Sequence, residues 1–398
     1  MSYHKLACVK SAFGIPPPTC QPRHVPRWKA RTWWILGLLL LLQLGAAVGF
    51  RSRAIQRDIE RWEEYQARCK TTGKDLGIKG WLPAAVPDDD NLFTHPWVIA
   101  FLASESSPQA EAVAEMQAWP GLDLDGYEAP AEGKSWFDGR EAETAAVLQA
   151  GKERADHFRA IHEAAGRGGS RAPVDFDGPF ENIGGPWTRI SDLGGMLAVH
   201  ADAAMASGDG PAATADLEAM LRLGNHLRGG NFLLATLIGT GFEGNARRIL
   251  DAGISRRIFN PADRRRLLAA LRTRPVAEEL AAVSQVERGM FLAALEGLVA
   301  TRPPAGIKAS YAAFLNPPRR LGATNSLHLC TTLDAPLAAG GSRTAWEDFD
   351  RQVSTLSQEE ETPGTEIAGL FLGQLSNVAT SLFLHEDELD LLRQRLAE

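Results

Sequence analysis

Eighteen consecutive residues, Trp33 to Phe50 (WWILGLLLLLQLGAAVGF), carry no charge and a single amide, Gln43. A helix rises about 1.5 Å per residue, so the stretch reaches roughly 27 Å, the depth of a bilayer's hydrocarbon core. Paired tryptophans open it, and Arg51 and Arg53 close it, as aromatic rings and cations do at the headgroups. A chain organised this way has one membrane anchor, a transmembrane helix over 33–50, and must fold its remainder in water.

Orientation follows from charge. The residues before Thr32 hold six basic side chains (Lys5, Lys10, Arg23, Arg27, Lys29, Arg31) and no acid. The positive-inside rule then places the N-terminus in the cytoplasm and the main domain outside, although Arg51, Arg53, Arg57, Arg61, Arg68 and Lys70 follow the span. The alternative is a cleaved signal peptide ending near Ala47-Val48-Gly49. The net charge of −7 leaves 36 basic against 49 acidic residues beyond the N-terminal tail, a balance of −13, and no nucleic-acid partner is expected.

The chain divides in order. Residues 1–32 form a disordered basic tail, with Pro16-Pro17-Pro18 and no periodicity. Over 51–70 the helix continues, and Ile55, Ile59, Trp62, Gln66 and Cys69 recur at heptad-like spacing. One amphipathic helix that docks on its own domain or lies on lipid is the favoured expectation, and a homodimer through Ile55–Cys69 the alternative. Residues 71–140 read as a linker with short helices: Asp88-Asp89-Asp90-Asn91 caps a helix around Leu92–Ala103, and Pro108 opens another. Over 141–300 come helical hairpins, beginning with one long helix from Glu141 to about Gly166. The pattern is clearest from Trp187 on, with turns at Gly208-Asp209-Gly210-Pro211, Gly229-Gly230 and Asn260-Pro261. Residues 301–398 are loop-rich and then helical near 343–356, 367–384 and 386–396. The fold class is all-α, with a tetratricopeptide-like hairpin domain.

The chemistry-bearing motifs are weak. Asp123-Leu124-Asp125-Gly126 and Asp175-Phe176-Asp177-Gly178 resemble calcium loops but lack the full ligand pattern, and read as Asp/Gly turns. His157 and His162 lie five apart, off one helical face, so no metal pair is expected. Gly239-Thr240-Gly241-Phe242-Glu243-Gly244 matches the dinucleotide fingerprint, with Phe232–Ile238 as a candidate strand before it. No βαβ context follows, so these glycines are expected to serve close helix packing, Gly241 among them. No GxSxG, HExxH or CxxC occurs. Neither a cofactor nor a metal is expected. Cys69 and Cys330 could bridge in an oxidising compartment; the plainer expectation is two unpaired core thiols.

Val86-Pro87-Asp88-Asp89-Asp90-Asn91 after a Gly-rich linker, the helix–Gly208-Asp209–helix unit, and Val286-Glu287-Arg288-Gly289 together resemble a group of uncharacterised, membrane-anchored, all-helical bacterial proteins over residues 33–300. The resemblance implies a bacterial inner-membrane location and brings no activity with it. The unit from Ala203 to Leu227 is similar to one tetratricopeptide helix pair.

Glu287, Arg288, Asn225 and His226 are the candidate binding residues, and no catalytic residue is assigned. At about 100° per residue, Glu287 falls in the apolar face of Leu280, Val283, Met290, Ala294 and Leu298. It should be buried and accept bonds from a helix-end amide or from Arg222, Arg247 or Arg248, whereas Arg288 should face outward. The leading function is a non-enzymatic scaffold that engages another envelope protein. The alternatives are an envelope enzyme acting on cell-wall or glycan material through scattered carboxylates, and a dinucleotide-dependent oxidoreductase.

Overall fold

The computed structural model describes residues 27–117, 133–172, 185–271, 274–300, 318–338, 341–358 and 366–397. Both Asp/Gly turns, at 123–126 and 175–178, lie outside the described residues, as do the tail before Arg27 and the segment between Pro303 and Pro317. Among the described residues the chain is all-α and forms no strand. An isolated bridge pairs Asn91 with Gly169.

The first helix, α1, runs unbroken from Arg27 to Thr71. The chain separates into two units, Met1–Arg57 and Asp58–Glu398. In the first, Leu38, Leu41, Leu42 and Phe50 are 60–74% exposed, an apolar surface that the unit itself does not cover. In the second unit the last turns of α1 dock on their own domain. Tyr65 and Cys69 form a buried cluster with Leu292 and Cys330, against which Trp62 packs. Tyr65 thus takes the inward position that heptad spacing gave to Gln66, which is exposed.

Two short 3-10 turns, Lys79–Trp81 and Leu92–Thr94, precede α2 (Pro96–Ala103) and α3 (Pro108–Gln117). The helix expected over 92–103 is split because Pro96 cannot donate a backbone bond. Asn91 caps the first piece by accepting from the Phe93 amide at 3.2 Å, and His95 caps the second. The long helix expected over 141–166 is likewise two: α4 (Glu141–Glu153), which packs on α6 (Gly185–Ala206), and α5 (Ala155–Ala165), which packs on α7 (Gly210–Gly229). The break is at Arg154, whose backbone leaves the helical region at φ −110°, ψ 22°.

α6 and α7 make a hairpin with α8 (Leu233–Ser255). The α6–α7 turn needs Gly208, at φ +84°, and the Asp209 carboxylate then caps α7 through the Ala212 amide at 3.0 Å. Trp187, Ile190, Leu193, Leu197, Ala201 and Ala204 on α6 and Leu217, Met220, Leu221 and Leu227 on α7 are all buried in one large core. A reciprocal capping box, Asn260 with Asp263, starts α9 (Pro261–Ala270).

A second core joins α10 (Val276–Ala300), α11 (Pro318–Ala338), α12 (Arg343–Gln358) and α13 (Glu366–Ala397) through Leu280, Leu333, Trp346, Phe349, Leu372 and Leu382. The two helices expected near 367–384 and 386–396 are one. Among the described residues, this C-terminal helix, over Ile367–Ala397, is the one long and apolar enough to cross a membrane, rather than the N-terminal one; its apolar window is 44% buried inside the protein. The N-terminal window begins among residues whose side chains lie outside the described set.

Candidate functional site

The interior of the hairpin domain is charged. Arg228, near the end of α7, is 3% exposed and grips Glu279 of α10 with two bonds, Nε to Oε1 at 2.9 Å and Nη2 to Oε2 at 3.1 Å. Its Nη1 donates to Glu243 of α8, which lies 3.2 Å from His385 Nε2 on α13. Both carboxylates are essentially inaccessible, at 0% and 1%. Burial alone would lower the Arg228 pKa, but the two carboxylates outweigh it and hold the guanidinium above its ordinary value. Four helices are thereby fixed in register around one cation.

A second polar cluster lies between α5, α6 and α7. Asp216, 1% exposed, receives His162 Nε2 at 2.9 Å on Oδ1 and His200 Nδ1 at 2.6 Å on Oδ2. Burial would raise this carboxyl, but the two imidazoles outweigh it and hold it below its usual range. The far nitrogen of His200 faces α4: a Cβ at Gly151 would sit 2.2 Å from His200 Nε2. The Nε2 edge of that imidazole therefore lies against the α4 backbone, and of the two histidines His162 is the more exposed, at 31% of its side chain against 15% for His200. The arrangement fixes the tautomers of two histidines and three helices in place. Asp202 on α6 completes the interior charge: burial pushes it up to about 6, while it accepts from the Trp136 amide at 3.1 Å.

The four residues singled out from sequence do not converge on one site. Asn225 Nδ2 donates to the Ala270 carbonyl at 2.9 Å, closing the end of α9. His226 Nε2 lies 3.2 Å from the Ala165 carbonyl at the end of α5, and burial lowers its pKa. Glu287 is 6% exposed and accepts from the Leu233 amide, the first of α8, at 2.9 Å. Burial pushes it up to about 7, partly offset by that bond. The arginines expected to reach it are engaged elsewhere: Arg222 with Glu218, Arg247 with Glu388, Arg248 with Asp202. Arg288 does not face outward. It is fully buried, its Nη2 donates to the Asp75 carbonyl at 2.9 Å, and its Nε and Nη1 have no hydrogen-bond partner among the described residues.

The glycine motif lies wholly inside α8, so Phe232–Ile238 is not a strand. Close packing belongs to Gly239, whose added Cβ would meet the Gly224 carbonyl oxygen at 2.6 Å, and not to Gly241, which has open space. Residues i and i+2 on a helix point to nearly opposite sides, so only one of the pair can face α7.

Sequence reasoning missed the Arg228 and Asp216 clusters. The signal available was phase: Glu243 sits among Gly239, Phe242, Ala246 and Leu250, and Asp216 among Ala213, Leu217 and Met220, acids inside apolar stripes. Among the described residues no group of three or more His, Cys, Asp or Glu is placed to hold a metal ion.

Facing outward, α12 and α13 enclose a groove of about 260 Å³ lined by Arg343, Trp346, Asp350, Phe383 and Leu384, among others. Trp346 and Phe383 form its floor, and Leu384 stands on its rim at 61% exposure. Arg343 lies over the Phe383 ring, 5.3 Å from its centroid, and pairs with Asp387 through two bonds of 2.6 and 2.9 Å. The same outer side of α13 exposes Leu370 and Leu391, at 74% and 61%. Compared with known proteins, the chain matches no family model, no curated protein and no solved structure.

Proposed function

We propose that this chain is a non-enzymatic envelope scaffold, held in a bacterial inner membrane by Trp33–Phe50 with its N-terminus inside, that docks another envelope protein on the outer side of its C-terminal helix pair. Anchoring is supported by the uncovered leucines of the Met1–Arg57 unit, a surface that lipid would bury. The observation that carries the docking reading is the α12–α13 groove with an aromatic floor and an exposed leucine row beside it. A groove between helices receives the ridge of a third helix, and rim charges of both signs set its register. The occupant that fits is an amphipathic partner helix offering large apolar side chains to Trp346 and Phe383. The buried carboxylates and imidazoles serve the scaffold, because each cluster ties three or four helices together.

The test is photocrosslinking in intact cells from a reactive residue placed at position 384, with position 237 as control. Leu237 is also exposed, at 41%, but lies on α8 away from the groove. The expected result is a discrete adduct from 384 alone, of a mass other than twice the 43.1 kDa chain. Equal adducts from both positions, or none from 384, would refute the docking reading.

A further inference from the structure

Separate segments of the chain meet at a pocket of about 40 Å³: the linker at Leu82-Pro83, Arg171-Ala172 beyond α5, Trp187 in the first turn of α6, and the α7–α8 connection at Gly230 and Phe232. Bonds around the pocket fix its walls. The Asn91 side chain holds the Arg171 backbone at both of its polar groups, accepting from the amide at 2.9 Å and donating to the carbonyl at 3.1 Å. Ser170 Oγ donates to the His226 carbonyl at 2.5 Å. Asn231 Nδ2 donates to the Trp81 carbonyl at 3.2 Å, which ties the linker to the α7–α8 connection. Trp187 is 2% exposed and packs against Phe93 and Phe232, with ring centroids 5.7 and 6.0 Å away. The walls are thus set by the fold itself, as in preformed ligand sites.

The chemistry of the lining is one-sided. Leu82, Pro83, Ala172 and Phe232 are apolar, and the two polar side chains, Trp187 and Arg171, only donate hydrogen bonds. The indole N–H of Trp187 is buried with no hydrogen-bond partner among the described residues. Arg171 is exposed, and its guanidinium pairs with no carboxylate among them. A buried donor left unpaired costs its desolvation, and an acceptor that reaches it recovers that cost. At roughly 10–15 Å³ for each water-sized group, the pocket holds about three such groups, the size of a carboxylate. We propose that this pocket binds a short aliphatic carboxylate, whose oxygens accept from Trp187 Nε1 and from the Arg171 guanidinium and whose chain lies along Leu82, Pro83 and Phe232. A carboxylate satisfies both donors at once and adds charge attraction to Arg171, whereas a neutral amide brings one acceptor oxygen and no charge. The site shares no residue with the α12–α13 groove, and it does not depend on which side of the membrane the domain occupies.

The test uses the full chain in a detergent that carries no carboxylate, isotopically labelled at its indole nitrogens for NMR. Sodium propionate is the probe, with sodium chloride at equal concentration as the reference. The Trp187 indole peak is assigned by its loss in Trp187→Phe. Propionate should move that peak downfield and saturably, and propionamide should leave it in place. Arg171→Gln, at an exposed position, should raise the propionate midpoint by about fivefold, the effect of losing one solvent-facing, charge-assisted bond. A second readout needs no change at Trp187. The carboxyl line of isotopically labelled propionate should broaden with the parent chain and broaden less with Arg171→Gln. An indole peak that propionate leaves in place, or that propionamide moves as far, would overturn the proposal and leave water as the partner of the Trp187 N–H. An Arg171→Gln chain with the parent's midpoint and the parent's line broadening would overturn it as well.

Discussion

Replacing Arg228 by Met removes the cation at the centre of the buried network while keeping most of its apolar bulk. The consequence follows from what remains. Glu279, 1% exposed, loses both of its bonds to the guanidinium, and Glu243, 0% exposed, loses its own and keeps the contact with His385. Breaking a buried ion pair from one side costs about 3–5 kcal/mol, because the carboxylates that lose the cation stay desolvated. For a domain of this size about 2 °C of melting temperature accompanies each kcal/mol, so the midpoint should fall by roughly 6–10 °C. The assay is helical ellipticity against temperature and against urea, on the full chain in detergent. The triple replacement Arg228→Met, Glu243→Leu, Glu279→Leu should recover most of the loss, since an apolar set of similar volume needs no pairing. A single variant that melts within 1 °C of the parent, or a triple variant less stable than the single, would refute the claim that this network holds the four helices in register.

Gly239→Ala and Gly241→Ala should shift stability in opposite directions: the first costs about 1–3 kcal/mol by overpacking against Gly224, and the second gains about 0.5–1 kcal/mol because alanine is the better helix former in open space, both read from urea midpoints. Glu287 has a folded pKa raised from 4.5 to about 7, so its proton is bound more tightly in the folded state. Its favourable term is complete below pH 4.5 and is lost as pH rises to about 7; Glu287→Gln should therefore match the parent near pH 4 and exceed it at pH 8 by roughly 2–3 kcal/mol. Asp216 runs the other way: its carboxyl is held below the usual 3.8, so its contribution is present above that value and is lost as pH falls further. Asp216→Asn should accordingly weaken the domain at pH 7 and weaken it progressively less as pH falls below 3.8, as read by melting temperature across that range.

Local punctuation was the legible part of the sequence. Gly208-Asp209-Gly210-Pro211 and Asn260-Pro261 mark turns because left-handed backbone, a capping carboxylate and a first-turn proline are properties of single residues. The all-α class and the α6–α8 hairpins follow from such signals joined to apolar stripes. The helix α11 gave no comparable signal, since its sequence holds Gly322, Thr324, Asn325 and an internal Pro336, and it is fixed by packing on α10 and α12. Arg288 was misplaced for a related reason. A helical wheel assigns one buried side, whereas α10 is enclosed on several: Val286 and Arg288 are both 0% exposed, and Gly289 lies with its missing Cβ 3.0 Å from the Ile78 amide of the preceding linker. The buried Arg228 and Asp216 clusters depend on which helices meet, and residues such as Glu279 and His385, or His162 and Asp216, are too far apart in sequence for spacing to join them. Nor could the groove be read from α12 or α13 alone, because it exists only between them.

The proposed envelope partner depends on which side of the membrane the helical domain occupies. The direct measurement is an enzyme fused after Glu398 that is active only outside the cytoplasmic membrane, compared with one active only inside. The account predicts activity from the outside reporter and none from the inside one. Activity from the inside reporter alone would contradict it.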